Sequence, residues 1–313
     1  MNGLAELHQL FAEHATHEGH PLRGLPNLIM AIRTAPTAPE AHVAEPVFSL
    51  ILQGAKYIEI GDNGIHYGPG QYVIVPIELP MQARVKEASV DKPFLGFGLT
   101  LNPGSIASLV LEAGTAPTRS PEFSGLVVGV VTDELLDAVL RFVRLVNRPA
   151  DIPVLAAAIE REILWRLLNG PQGALVREVG LANGRLAQIA RAIKWLRSHY
   201  AEAMRIEELA AIASMSSTSF HRHFRAVTSM TPLQYQKQLR LQAARSRLIA
   251  TAEDVAQVGF AVGYESPSQF SREYRRVFGR PPGEDGEDLR LMNSRAPAPS
   301  GLPSSRKRRK TRI

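Results

Sequence analysis

The sequence contains no cysteine. That excludes disulfide scaffolds, thiolate zinc sites, thiol nucleophiles and thiol-based redox sensing. No apolar run approaches the roughly 20 residues that a membrane span needs. The opening Met1-Asn2-Gly3-Leu4-Ala5-Glu6 has neither the basic n-region nor the apolar h-region of a secretory signal. These absences predict a cytoplasmic protein. What is present is a chain of 313 residues, 45% hydrophobic, which is globular in composition and can bury two cores.

Basic charge is sparse in the first half of the chain and gathers in the second. Residues 1–171 carry a net −6, residues 172–290 a net +5, and residues 291–313 a net +7 with no carboxylate side chain among them. An acidic first half followed by a basic second half predicts that only the second half meets a polyanion.

The chain changes character several times. Leu4, Leu7, Leu10 and Phe11 fall at helical spacing. Residues 46–100 hold short apolar runs separated by Gly, Pro, Asn and Asp, among them Val47–Leu52, Lys56–Ile60, Tyr72–Val75 and Phe94–Leu99. Gly61-Asp62-Asn63-Gly64 predicts a hairpin turn. Strands at such spacing predict a small barrel or sandwich. Residues 103–170 turn helical. Thr132 caps one helix, whose apolar positions are Leu135, Leu136, Val139, Leu140 and Val143. Asp151, with Pro153 just inside, caps the next. That second helix carries an apolar stripe from Leu155 to Leu168, which is either core or a dimer face. Residues 171–184 are glycine-rich and read as a linker. The chain from Arg185 to about Val277 is almost all helix. Residues 291–313, ending Arg306-Lys307-Arg308-Arg309-Lys310, read as a disordered basic tail.

Two segments of the helical half share one layout. A short helix (Ile206–Ala213, then Ala252–Phe260) ends in a tight turn, and a serine (Ser216, Ser266) caps a second helix. Ala210 and Ala256 are small enough for a close crossing, and Gly263 sits where a turn needs positive φ. The layout is a helix-turn-helix. In the second helices, Phe220, Phe224 and Val227, then Phe270, Tyr274 and Val277, form the inward stripes. Ser217, Thr218, His221, Arg222 and Arg225 point outward in the first, and Ser268, Ser271, Arg272, Arg275 and Arg276 in the second. Hydroxyls and guanidinium groups there suit base edges and phosphates of a major groove. One such helix alone is as well explained by a solvated basic face. Two copies weaken that explanation. Between them Thr231 caps, and Pro232 opens, a helix of about 17 residues and roughly 25 Å. Such a rod can hold two reading helices about one DNA turn, 34 Å, apart.

Residues 185–283 resemble the DNA-binding domain of AraC/XylS-type transcription regulators. The resemblance rests on Ala213-Ser214-Met215-Ser216, Phe220-His221-Arg222-His223-Phe224-Arg225, Thr231-Pro232-Leu233-Gln234-Tyr235, Gly263-Tyr264-Glu265-Ser266 and Phe278-Gly279-Arg280-Pro281-Pro282. Residues 46–103, through Pro46–Lys56 and Tyr72–Pro76, resemble the N-terminal domain of one AraC subgroup. The resemblance implies a cupin-like effector-binding and dimerising module ahead of the double helix-turn-helix. It also implies a bacterial source, double-stranded operator DNA as partner, a small-molecule effector, a possible homodimer, and RNA polymerase if the protein activates. Two departures stand out. Ser229 occupies a position where the family often has glycine, and the acidic Gly283–Asp288 follows Pro282, where it would repel phosphates.

The expected fold is therefore α+β: a small cupin-like β-barrel with flanking helices over 1–170, a linker over 171–184, an all-α double helix-turn-helix over 185–290, and the tail over 291–313. The expected function is sequence-specific, effector-controlled transcription regulation, in the cytoplasm on the nucleoid. The alternative is a cupin-like metalloenzyme fused to a DNA-binding module. Cupin enzymes hold iron or manganese with two close histidines and a glutamate. Residues 46–100 contain no His-x-His, so no catalytic residue, metal or cofactor is expected. His14, His17 and His20 are three apart but lack matched carboxylates. Inward candidates for an effector pocket are Phe48, Leu50, Tyr57, His66, Tyr72 and Phe97. Ordinary core packing explains the same six residues.

Overall fold

The computed structural model describes residues 2–14, 21–22, 24–61, 63–114, 126–181, 184–251 and 253–295. His17, His20 and the basic run Arg306–Lys310 lie outside them. The chain falls into two compact units, residues 1–242 and 243–313.

The first unit opens with α1 (Asn2–His14), followed by β1 (Pro21–Leu22), β2 (Leu25–Arg33), β3 (Glu40–Ala44), β4 (Val47–Gln53), β5 (Ala55–Ile60), β6 (Asn63–Tyr67), β7 (Gln71–Val75), β8 (Leu79–Glu87) and β9 (Phe94–Thr100). Then come α2 (Pro103–Glu112), β10 (Val128–Val130), α3 (Asp133–Arg144), α4 (Ile152–Leu168), α5 (Gly173–Gly180), α6 (Arg185–Ser198), α7 (Ile206–Ile212) and α8 (Ser217–Thr228). α9 (Pro232–Ala250) begins in this unit.

The strands form two antiparallel sheets, in the orders β1-β2-β9-β4-β7-β10 and β3-β8-β5-β6. The expected barrel is thus an open pair of sheets: among the described residues no ladder joins them. Pro36 and Pro39 lie between β2 and β3, where they cannot donate to a ladder, and those two strands enter different sheets. The hairpin expected at residues 61–64 forms, with Ile60 opposite Asn63.

Alternation along β4 sorts its side chains. Ser49 faces the second sheet, where its hydroxyl meets the Tyr67 hydroxyl at 3.1 Å. Burial pushes the Tyr67 phenol up to about 12. Phe48 and Leu50 face the other way, as do Tyr72 opposite Leu50 on β7 and Phe97 opposite Leu50 on β9. On this face a Cβ on Gly170, just past α4, would come within 3.8 Å of the Tyr72 hydroxyl.

Thr132 caps α3 as expected, accepting from the Leu135 N–H at 3.3 Å. Asp151 precedes α4 but makes no side-chain cap bond. The segment read as a linker holds α5, with Val176 and Gly180 buried. A Cβ on Gly180 would meet Ile106 of α2 at 2.7 Å, so this glycine permits close helix packing rather than flexibility.

The second unit contains the end of α9, then α10 (Val255–Ala261), α11 (Pro267–Phe278) and α12 (Pro282–Arg295). α12 carries the helix past Arg290, where the tail was expected to begin. Arg290 donates to the carbonyls of Thr251, at 3.0 Å, and of Leu248. Among the described residues no helix is long and apolar enough to cross a membrane.

Candidate nucleic-acid interface

The two helix-turn-helix units are built alike. In the first, the Ser214 and Met215 N–H groups donate to the Ala211 and Ala210 carbonyls, both at 2.9 Å. In the second, Gly263 and Tyr264 donate to Phe260 and Gly259, both at 3.0 Å. Ser214 and Gly263 both have positive φ, +56° and +93°. The counterpart of Ala210 is therefore Gly259, not the expected Ala256. A Cβ on Gly259 would lie 3.0 Å from the Phe270 ring, so the small residue is needed at this crossing. The second turn is one residue longer, by Glu265. Ser216 and Ser266 then cap α8 and α11, each accepting an N–H three residues on at 3.3 Å.

From the caps onward the two helices match at a constant offset of fifty residues. Phe220 and Phe224 are fully buried, and Phe224 packs edge-on against Tyr235 of α9 at 5.5 Å. Phe270 and Tyr274 are fully buried in the same register, while Val277 is only half-buried. Both helices end in a left-handed residue, Ser229 at φ +58° and Gly279 at +78°. The turn at Ser229 therefore keeps the geometry that a glycine would give it. A serine held left-handed costs energy that glycine does not. Ser229→Gly is expected to stabilise the first unit by up to about 1 kcal/mol after glycine's greater unfolded-state entropy is counted. Urea unfolding would register this as a higher midpoint, and a lower midpoint would contradict it.

The opposite faces carry the expected polar residues. Thr218, His221, Arg222 and Arg225 are exposed on α8, with Ser217 half-buried. Ser268, Arg272, Arg275 and Arg276 are exposed on α11, with Ser271 half-buried. Ser217 corresponds to Pro267, so its hydroxyl has no counterpart. Elsewhere in the helical region arginines find carboxylates: Arg205 with Glu208, Arg247 with Glu253, Arg280 with Asp288. Among the described residues Arg222, Arg225, Arg272, Arg275 and Arg276 pair with none. Their charge is left for an external anion. His223, beside them, has its pKa lowered by burial and by the charges of Arg185 and Arg222.

The acidic Gly283–Asp288 has an internal role that the sequence reading missed. Asp285 is buried on α12 and accepts from the Tyr274 hydroxyl of α11 at 2.7 Å and from Arg245 Nε of α9 at 2.9 Å. The Arg245 guanidinium in turn covers the Phe278 ring at 4.7 Å.

A family model described as the AraC-type transcriptional regulator N-terminus matches residues 24–175, and a helix-turn-helix domain model matches residues 209–287. The chain belongs to the AraC family of transcriptional regulators. It is 35% identical over 108 residues to the HTH-type transcriptional activator RhaS of Escherichia fergusonii, covering 34% of this chain and 39% of that protein. To RhaS of Salmonella schwarzengrund it is 30% identical over 155 residues, covering 49% and 54%. The chain thus spans about half or less of the curated relatives it matches. An apo variant of ToxT from Vibrio cholerae is similar in fold, with a TM-score of 0.52 at 9% identity over 84% of this chain and 98% of that one. These curated relatives are named as transcriptional activators, and neither is named as an enzyme. Among the described residues no group of three or more His, Asp or Glu could hold a metal ion. His14 instead meets the Asn147 side chain at 2.5 Å.

The six expected pocket residues do not converge. Phe48, Leu50, Tyr72 and Phe97 are buried on one face of the first sheet, with Phe48 ringed by Tyr72 at 5.2 Å and Phe97 at 5.9 Å. Tyr57 and His66 pair across β5 and β6 of the second sheet, half-buried and exposed. Arg84 stacks on the Tyr57 ring at 4.9 Å. Four of the six are core, and two belong to a surface.

Proposed function

We propose that the chain is a sequence-specific DNA-binding transcription regulator that reads two successive major-groove segments with α8 and α11. The observation that carries this is the pair of capped, register-matched helices whose five exposed arginines, among the described residues, form no ion pair with a carboxylate. In this reading residues 185–290 bind DNA, and residues 1–170 sense a small organic effector. The DNA-contacting residues are Thr218, His221, Arg222 and Arg225 with Ser217 at the edge, and Ser268, Ser271, Arg272, Arg275 and Arg276. A homodimer is part of the reading, supported by the exposed Val154, Leu155 and Trp165 on α4.

Arg222 and Arg272 each follow a buried phenylalanine by two residues, so both project outward at one register. A guanidinium there can bond O6 and N7 of a guanine. Arg222→Ala and Arg272→Ala are each expected to cost about 1–3 kcal/mol of operator affinity and to relax preference at a few base pairs, in different halves of the site. Binding-site selection with each variant checks this. Equal loss on all sequences would make both arginines phosphate clamps and pass base reading to Thr218, His221, Ser268 and Ser271. A full-length protein that binds no DNA would end the proposal.

A further inference from the structure

His223 lies half-buried on α8, next in sequence to the exposed Arg222. Its Nε2 sits 3.5 Å from Nη2 of the Arg222 guanidinium. A guanidinium donates hydrogen bonds and never accepts them, so this contact needs a bare Nε2 lone pair. It exists only while the imidazole is neutral, with its proton on Nδ1. A second cation reaches the ring from another element. Arg185, the exposed first residue of α6, acts on His223 through its charge. Among the described residues neither arginine has a carboxylate partner. The neighbours of His223 three and four residues away on α8, Ser219, Phe220, Ala226 and Val227, bring no charge. α7, also packed on α8, brings Glu207, which is exposed, and Glu208, which pairs with Arg205 at 3.6 Å. α9 meets α8 through Tyr235, on the buried side.

A protonated His223 would therefore stand with Arg185 and Arg222 as three positive charges. Burial and the two guanidinium groups hold the ring's pKa below the usual histidine value in the free protein. A DNA phosphate beside Arg185 and His223 supplies the missing negative charge and raises that pKa. The complex then holds a proton that the free protein does not. Binding that takes up a proton strengthens as pH falls, and weakens as pH rises through the pKa of the bound state. Protonation also turns Nε2 into a donor. The Arg222 guanidinium then loses its acceptor and is free to swing toward the groove.

We propose that His223 is a positioning residue that couples operator binding to proton uptake. Neutral, it holds the Arg222 guanidinium along the helix surface. Protonated, it releases Arg222 to a base edge and joins Arg185 on a backbone phosphate. The inference rests on the DNA-binding reading above and adds its regulation by pH. A histidine that only packed α8 against α6 would leave operator affinity indifferent to pH.

The test uses the full-length protein and the DNA sequence that it selects from a random pool. Affinity is measured between about pH 5.5 and 8, the range in which histidine changes charge, with circular dichroism following the fold at each pH. Wild-type affinity is expected to be about tenfold higher at the acid end, the ratio given by one pKa unit of coupling. His223→Gln keeps a neutral hydrogen-bonding side chain that does not titrate, and its affinity should be flat across the range. His221→Gln should shift affinity at every pH alike and keep the wild-type ratio. Arg222→Ala should shrink the ratio, because the residue that protonation releases is gone. A wild type indifferent to pH, or a ratio that survives in His223→Gln or vanishes in His221→Gln, overturns the coupling and leaves the regulator standing. Imidazole NMR of the free protein gives a readout that needs no DNA. His223 should titrate below the usual histidine range, with its neutral form protonated on Nδ1, and move upward in Arg222→Gln. A ring that titrates in the ordinary range and is unmoved by Arg222→Gln overturns the contact. A protein that binds no DNA at any pH refutes the regulator, while this titration still decides whether His223 holds Arg222.

Discussion

Replacing Asp285 by Ala is expected to destabilise the second unit by about 3–5 kcal/mol, the usual cost of removing one partner of a buried ion pair. The Asp285 side chain is 8% exposed and that of Arg245 20% exposed. Removing the carboxylate strands the guanidinium away from water and also orphans the Tyr274 hydroxyl. Tyr274→Phe deletes one hydrogen bond, keeps the ion pair, and should cost only about 0.5–1.5 kcal/mol. A double variant, Asp285→Leu with Arg245→Met, should recover much of the loss, because apolar replacement of both partners removes the desolvation penalty. Urea unfolding with hydrogen exchange on α11 and α12 amides would separate the three. If Asp285→Ala cost no more than Tyr274→Phe, the pair would not be holding the reading helix against α9 and α12. The burial of Tyr274 and the Asp285 charge beside it both push the phenol's pKa upward, so the hydroxyl stays a donor through the physiological range.

The second unit also shows where the sequence was legible. Caps, turn residues and the inward stripe at every third or fourth position are local signals, and they located α8, α11 and every outward arginine. In sequence the acidic Gly283–Asp288 run shows only that it would repel phosphates, not that Asp285 is buried. Its partners, Arg245 and Tyr274, lie 40 and 11 residues away. Nothing local marks that convergence.

The β region was legible in kind and less so in detail. Apolar runs and glycine turns identified strands over 46–100. β2 was missed because Pro26 and Asn27 interrupt its apolar alternation. Alternation identifies two faces of a strand but not which partner each face meets. Phe48, Leu50, Tyr72 and Phe97 were assigned to a ligand-lined interior for that reason. The inter-sheet face carries Ser49 instead. Glycine density suggested a linker at 171–184, yet Gly180 is a packing residue under Ile106.

Operator binding should weaken steeply with salt. Log affinity is expected to fall linearly with log salt at a slope implying about 5–10 neutralised phosphates. For 6–10 such contacts the loss between 50 and 200 mM salt is about 10³–10⁵-fold. The physical basis is the five arginines of α8 and α11 that, among the described residues, have no carboxylate partner, because a guanidinium already paired within the protein releases few counterions from DNA. Arg225→Ala and Arg275→Ala should each reduce the slope by about one and leave sequence preference intact, as expected of phosphate contacts. Deleting residues 296–313, which include Arg306 to Lys310, should flatten the slope further without changing the selected sequence. Non-specific cations add affinity on every site alike, whereas base-reading groups discriminate. A flat salt dependence would mean that these arginines do not face DNA. A tail deletion that altered the selected sequence would show that the basic run reads bases, and would move part of the specificity outside α8 and α11.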